Sequence, residues 1–169
     1  GHILTNNKLE TNLEGVYALG DVKGGAAFTH IAYDDFRVIR RNLFGDGKGS
    51  VAGRIVPYTV FIDPQLGRVD LTEKEADEQG LSYRVARLPM SSVARALETD
   101  DTRGFMKALV ERETGHIIGF TMLGMQGGEI AAAIQIAMLG RLPYKLLRDA
   151  PFAHPTIMES LNNLFAGME

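Results

Sequence analysis

The order of strand-like and helix-like segments after residue 53 constrains the fold more than any other feature of this sequence. Segments rich in β-branched and aromatic residues predict strands, and apolar residues at helical spacing predict helices. In this chain most of the predicted strands come before most of the predicted helices. Because segregated strands and helices favour an antiparallel sheet, we predict an α+β fold in which helices flank an antiparallel sheet.

Local residue patterns place the individual segments. Strands are predicted over residues 54–62, 67–71, 83–90, 104–112 and 116–124. Helices are predicted over residues 72–80, 129–139, 143–150 and 155–165. The first of these helices begins with a capping box, in which Thr72 and Glu75 each satisfy a free backbone N–H group of the other. The last two carry a proline in the first turn, where its fixed φ suits a helix.

The first 50 residues form a separate region in this prediction. Short apolar segments at residues 3–4 and 16–19 predict brief strands, and a helix follows the glycine pair at 24–25. The segment over residues 45–53 is glycine-rich and polar without periodicity, which is typical of a linker. We therefore predict two domains, over residues 1–50 and 54–169.

The composition excludes several classes of function. The formal net charge of −3 and the scattered basic residues give no electrostatic basis for binding nucleic acid or an anionic membrane. No run of about 18 apolar residues is present, so no transmembrane helix is predicted. The chain has no cysteine, which excludes disulfides and thiolate ligands within it, and its four histidines lack metal-ligand spacing. We predict no metal site and a cytoplasmic protein.

A histidine, a proline and a glutamate near the C-terminus form the first candidate site. His154 precedes Pro155, so we predict that the histidine lies at or beside the N-cap of the last helix. Glu159 is five residues further on and can approach the ring. A carboxylate that accepts a hydrogen bond from one ring nitrogen fixes the tautomer and leaves the other nitrogen to exchange a proton. The alternative is that His154 only caps the helix and Glu159 is a solvated residue that favours its dipole.

The segment VYALGD, residues 16–21, forms the second candidate site. Glycine permits close approach of the backbone to a ligand, and Asp21 can accept hydrogen bonds from hydroxyl groups. The helix that follows offers N–H groups and the positive end of its dipole to an electron-rich group. The alternative is an ordinary turn between a strand and a helix.

Three segments together resemble one family of enzymes. TNLEGVYALGD (residues 11–21) resembles the second flavin fingerprint of the pyridine nucleotide–disulfide oxidoreductases, and HPTIME (154–159) resembles their C-terminal His-Pro-Thr-x-x-Glu motif. Residues 56–80 resemble the start of the family's interface domain. The resemblance implies the C-terminal part of a larger enzyme: the end of an FAD-binding domain, then the dimerisation domain. The preceding part would hold the glycine-rich phosphate turn, the redox cysteine pair and the NAD(P) domain.

The resemblance implies how the N-terminal site would hold FAD. Asp21 would accept a hydrogen bond from the ribityl chain, and Gly20 would allow its close approach. The start of the following helix would point at the flavin pyrimidine edge, where its dipole stabilises negative charge. The residues concerned are Ala27, Phe28, Thr29 and His30.

The resemblance also assigns roles at the C-terminal site. His154 would be the acid–base residue and Glu159 its orienter, acting on the redox cysteines of the partner subunit. The active site would then exist only in a homodimer, with NAD(P)H as electron donor, and the chain alone would be inactive.

The electron acceptor is left open between a metal ion, copper or mercury, and a disulfide. Segments such as LPYKLLRDAPFAHP (142–155) most resemble the bacterial reactive-chlorine-resistance flavoproteins, which are regarded as copper(II) reductases. Mercuric reductases are near relatives, but they usually lack the His-Pro-Thr-x-x-Glu motif and carry a C-terminal cysteine pair, which counts against mercury. The alternatives are an enzyme like dihydrolipoamide dehydrogenase and a dimerisation module without chemistry of its own.

Overall fold

The computed structural model of the protein describes residues 1–168 and contains two compact units. The first unit covers residues 1–56, and the second begins at Pro57. The first unit contains a 3-10 turn over Gly20–Lys23 and one long helix, α1 (Thr29–Phe44). These two elements carry the N-terminal candidate site.

The two strands predicted before residue 20 are not formed. Within the described part of the first unit, the β-type pairing consists of an isolated bridge between Glu10 and Tyr17. Two backbone hydrogen bonds flank this bridge, from the Ala18 N–H to the Leu9 carbonyl and from the Thr11 N–H to the Val16 carbonyl. The apolar residues there predict strands, but a strand needs a ladder of successive pairs, and here the pairing does not extend beyond one bridge.

The glycine-rich segment over residues 45–53 is packed against α1 at Gly49. The Asn42 side chain accepts a hydrogen bond from the Gly49 N–H at 2.8 Å and donates to the Gly49 carbonyl at 3.0 Å. A Cβ atom at Gly49 would lie 2.6 Å from the Val38 carbonyl oxygen, so only glycine fits there. The boundary between the units accordingly falls after residue 56, beyond the predicted linker at 45–53.

The second unit is a five-stranded sheet with five helices in its described part. The strands are β1 (Pro57–Val60), β2 (Leu66–Asp70), β3 (Tyr83–Pro89), β4 (Phe105–Glu111) and β5 (Ile117–Leu123). The helices are α2 (Glu73–Glu78), α3 (Ala94–Glu98), α4 (Gly127–Leu139), α5 (Tyr144–Asp149) and α6 (Ser160–Ala166). The strand order is β1-β2-β5-β4-β3, and every pairing is antiparallel. The predicted α+β fold with an antiparallel sheet is confirmed.

Helix α4 lies on one face of the sheet, against β1, β2 and β5. Ile134 of α4 is fully buried, as are Val69 of β2 and Phe120 of β5. Val69 and Phe120 are paired across the two strands, so they share one face of the sheet. The close approach depends on Gly67 of β2, where a Cβ atom would lie 2.0 Å from the Gly127 carbonyl oxygen.

Three elements of the second unit differ most from the prediction, and the others by one or two residues at an end. The first strand is shorter than predicted and covers only Pro57–Val60, the residues that pair with β2. The helix α3 was not predicted, since five residues are too few to show a helical period. The last helix begins five residues later than predicted, at Ser160, because the residues before it form the turn that contains His154.

We expect Thr72→Ala to lower the free energy of unfolding of the chain by about 1 kcal/mol. The predicted capping box is present: Thr72 Oγ1 accepts from the Glu75 N–H at 3.1 Å, and Glu75 Oε2 accepts from the Thr72 N–H at 2.7 Å. Denaturant unfolding followed by circular dichroism measures the change. Ser91→Ala removes an exposed hydroxyl and should stay within about 0.5 kcal/mol of the parent chain. Equal midpoints for the two variants would contradict the expectation.

Candidate functional site

The His154 ring and the Glu159 carboxylate are in direct contact in the second unit. Nδ1 of His154 is 3.0 Å from each carboxylate oxygen of Glu159. The His154 side chain is 70% exposed, whereas the Glu159 side chain is 19% exposed. A carboxylate at Nδ1 favours the tautomer with a proton on that nitrogen, which leaves Nε2 to exchange a proton with another group.

This contact arises from a turn, whereas the sequence had predicted a helix start. Glu159 is the N-cap residue of α6, so His154 does not lie at the N-cap and does not cap the helix. The Thr156 hydroxyl donates to the Ala153 carbonyl at 2.7 Å and accepts from the Glu159 N–H at 3.3 Å. A threonine that bonds to nearby backbone groups in this way offers them an alternative to helix. The His154–Pro155 peptide bond within this turn is cis.

Asn162 on α6 anchors the segment that leads into the turn. Its Nδ2 atom lies 2.9, 2.8 and 3.0 Å from the carbonyl oxygens of Leu147, Arg148 and Ala150. These carbonyls belong to the end of α5, where helical partners are lacking. His154 lies in the loop between α5 and α6, so Asn162 fixes the two helices that bracket it. The sequence did not single out Asn162, because an asparagine within a helix usually indicates a solvated position.

The predicted flavin residues lie in the first unit, beginning with Gly20 and Asp21 in the 3-10 turn. Gly20 has φ +68°, a left-handed conformation that glycine adopts without steric cost. A Cβ atom there would lie 3.2 Å from the Ala32 Cβ, so the turn also sits close against α1. Asp21 is exposed, and its carboxylate is presented at the surface of the unit.

The other predicted flavin residues lie together at the N-terminal end of α1. The helix begins at Thr29, with Phe28 as the N-cap residue, and no side chain within residues 1–168 caps it. The Phe28 ring stacks on the His30 ring at 5.4 Å between centroids. Ala27, Thr29 and His30 are exposed. The first N–H groups of a helix lack intrahelical partners and attract negative charge.

Within residues 1–168, no group of three or more His, Asp or Glu side chains is arranged to hold a metal ion. No helix in the same range has the length and apolar character needed to cross a membrane.

The fold and these sites define a class of protein: an antiparallel α+β domain with a histidine–glutamate turn, preceded by a Gly-Asp turn and a helix. The family model of the pyridine nucleotide-disulphide oxidoreductase dimerisation domain matches residues 56–165. The chain belongs to the pyridine nucleotide–disulfide oxidoreductase family, as the resemblance of its motifs indicated.

Individual relatives show how much of a longer protein the chain represents. The "Probable pyridine nucleotide-disulfide oxidoreductase RclA" of Escherichia coli (strain K12) is 41% identical over 98% of this chain and 38% of the relative. A mercuric reductase of Shewanella putrefaciens is 34% identical over 95% of this chain and 29% of the relative. The copper(II) complex of the HOCl-induced flavoprotein disulfide reductase RclA from Escherichia coli superposes with a TM-score of 0.89 at 40% identity, covering 100% of this chain and 38% of that one. The chain thus spans less than half the length of these relatives.

Proposed function

We propose that this chain is the C-terminal part of a homodimeric, FAD-dependent oxidoreductase that passes electrons from NAD(P)H to a metal ion or a disulfide. In this proposal His154 exchanges protons with redox thiols of the partner subunit, and Glu159 orients its ring. The observation that carries the proposal is the exposed His154 ring, held at Nδ1 by Glu159 in a chain of this family.

The exposure of His154 supports acid–base chemistry toward a group outside its own chain. The chain has no cysteine, so a thiol partner must come from elsewhere. With Nδ1 engaged by Glu159, Nε2 can accept a proton from a thiol and return it later. An imidazole positioned in this way accelerates proton-transfer steps by about 10²- to 10⁴-fold.

The first unit fits one edge of a flavin. FAD, when bound, supplies the relay of the electron pair between NAD(P)H and the redox thiols. Asp21 would accept a hydrogen bond from a ribityl hydroxyl, and Gly20 leaves room for that approach. The N-terminus of α1 would face the pyrimidine edge, where its dipole stabilises negative charge. The exposed Asp21 carboxylate and the helix start without a side-chain cap support this fit.

An exposed apolar surface on the second unit supports self-association. This α4–α5 surface consists of Ile136, Leu139, Leu142 and Leu146, which are 38–67% exposed. Grouped exposed apolar residues mark interaction sites, whereas scattered ones are ordinary. A second copy of the chain is the partner that a dimerisation domain implies, and the matched region includes all four residues.

The full-length protein tests the proposal. We expect it to be yellow and dimeric, with one FAD per subunit, and to consume NAD(P)H when an acceptor is present. The isolated chain should be colourless and inactive, because the redox thiols and most of the flavin site lie outside it. Flavin absorbance and NAD(P)H consumption are the measurements. A stoichiometric flavin on the isolated chain, or none on the full-length protein, would overturn the proposal.

The acceptor is identified by comparing rates with copper(II), mercury(II) and a small disulfide. One relative is named as a mercuric reductase, and one similar structure is a copper(II) complex. The His-Pro-Thr-x-x-Glu motif favours copper(II) or a disulfide over mercury(II) for this chain. A dihydrolipoamide dehydrogenase-like activity is the alternative among disulfide acceptors. The cytoplasmic location stays a prediction.

We expect the double substitution Ile136→Lys and Leu139→Lys to weaken the homodimer at least about tenfold, because two charges would be buried in an apolar contact. Light scattering after size exclusion, over a dilution series, measures the dissociation. Activity should fall together with the dimer, since His154 acts across it. Leu97→Lys is the matched control, because Leu97 is a similarly exposed leucine on α3. An unchanged dimer in the double variant would show that this surface is not the interface.

A further inference from the structure

The first unit contains a buried carboxylate that the proposed function does not yet use. Asp35 lies in the second turn of α1 and is fully buried. Its Oδ2 atom accepts a hydrogen bond from the Gly20 N–H at 2.8 Å and lies 3.3 Å from Lys23 Nζ. Its Oδ1 atom accepts from Arg54 Nη1 at 2.7 Å. Both oxygens of one buried carboxylate are therefore bound to other parts of the unit.

Two of these partners, Gly20 and Lys23, lie on either side of Asp21 in the sequence. Gly20 and Lys23 are the first and last residues of the 3-10 turn, and Asp21 lies between them. The Asp35 carboxylate holds both ends of that turn. Since Asp35 belongs to α1, the same contacts fix the turn relative to the helix whose N-terminus begins at Thr29.

Two cations, Lys23 and Arg54, compensate the buried charge of Asp35. A buried carboxylate is costly unless it is paired and hydrogen-bonded, and here Lys23 and Arg54 supply two cations. Arg54 also binds Asp34, whose Oδ2 atom lies 2.9 Å from Arg54 Nε. The Asp34 side chain is 38% exposed, and no hydrogen bond or ion pair joins it to the turn within the described residues. Asp34 and Asp35 thus share a cation, but only Asp35 bonds to the turn.

We propose that Asp35 is a positioning residue for the flavin: its buried carboxylate sets the placement of Asp21 relative to the N-terminus of α1. This inference rests on the proposed function, because it assumes that these two elements contact FAD. An amide at position 35 has one acceptor oxygen and no charge, so it cannot satisfy the Gly20 N–H, the Lys23 ammonium and the Arg54 guanidinium together. The turn then loses its fixed position against the helix. Flavin binding then weakens although no group that touches the flavin has been removed.

The test compares Asp35→Asn with Asp34→Asn in the full-length flavoprotein. We expect Asp35→Asn to weaken FAD binding to the apoprotein about tenfold or more, the usual effect of losing a hydrogen bond to a charged group. The flavin absorption band and the flavin reduction potential should shift as well. Asp34→Asn should leave all three unchanged, and Asp35→Glu, which keeps the charge, should restore part of the affinity.

A second measurement separates failure of this inference from failure of the proposed function. Amide hydrogen exchange of Gly20 in the chain itself should be faster in Asp35→Asn than in Asp34→Asn, whether or not flavin binds. If the parent protein binds no flavin, the proposed function fails, and the exchange of Gly20 still reports on the contact. If the parent binds flavin but the two variants have equal flavin affinity, spectrum and potential, the positioning role of Asp35 is overturned.

Discussion

His154→Ala in the full-length enzyme is expected to lower turnover of the acceptor by about 10²- to 10⁴-fold, the range for loss of a positioned acid–base group. Reduction of the flavin by NAD(P)H should be unchanged, because the imidazole is proposed to act on the thiols. Rapid-mixing absorbance separates these two half-reactions, and size exclusion checks that the dimer persists. A loss confined to the thiol half-reaction is a readout that a purely structural role would not produce.

Two further variants test the role of the Glu159 carboxylate and provide a control histidine. Glu159→Gln keeps a hydrogen-bond acceptor near Nδ1 but removes its charge, so we expect a smaller loss than for His154→Ala. His116→Ala changes a partly buried histidine of the same unit that has no contact with Glu159 among the described residues, and it should retain full turnover. Unchanged turnover in His154→Ala would favour the dimerisation module without chemistry, since the structure already excludes a capping role for His154.

The strands of the second unit were predictable because their determinants are local. β3, β4 and β5 lie within the predicted segments and differ from them by at most one residue at each end. Each contains β-branched or aromatic residues among other apolar ones, and Gly115 in the β4–β5 turn has φ +70°. A short stretch of residues determines whether a strand forms, so a single sequence is enough to predict these three strands.

The sequence predicted that Glu159 can approach the His154 ring. It placed the pair at the start of a helix, whereas the two residues lie in a turn before α6. A separation of five residues can bring two side chains together at a helix start or across a turn, so spacing alone did not distinguish the two. The Thr156 hydroxyl decides between them through its bonds to Ala153 and Glu159. The catalytic role of the pair stays a prediction, because proximity shows only that the ring can be oriented.

The residues that support the sites were not predictable from local patterns. Asp35 stands next to Asp34 in a helix, which reads as a solvated polar position, yet it is fully buried. Its burial depends on Arg54, nineteen residues away in the sequence, and on the Gly20 N–H. Asn162 likewise depends on carbonyl groups at the end of another helix. Contacts of this kind are set by tertiary packing and leave no periodic signal.

Gly67→Ala is expected to lower the free energy of unfolding of the chain by roughly 3 kcal/mol or more, at the upper end of overpacking effects. A Cβ atom at Gly67 would lie 2.0 Å from the Gly127 carbonyl oxygen and 3.0 Å from the Ala131 Cβ. The nearer atom belongs to the backbone, so no side-chain rotation relieves the clash. Helix α4 must move away from β2, which loosens the packing of the helix on that face of the sheet, where Ile134 and Val69 are fully buried.

The matched control for this change is Gly140→Ala at the other end of α4. Gly140 has φ −77°, and the nearest atom to an added Cβ is the Ile136 carbonyl oxygen at 3.4 Å, so alanine should be nearly neutral there. Denaturant midpoints of both variants give the comparison. Because α4 carries Ile136 and Leu139 of the α4–α5 surface, Gly67→Ala in the full-length protein should also dissociate at concentrations where Gly140→Ala stays dimeric. A Gly67→Ala midpoint equal to that of Gly140→Ala would mean that α4 does not rest on β2 at this distance.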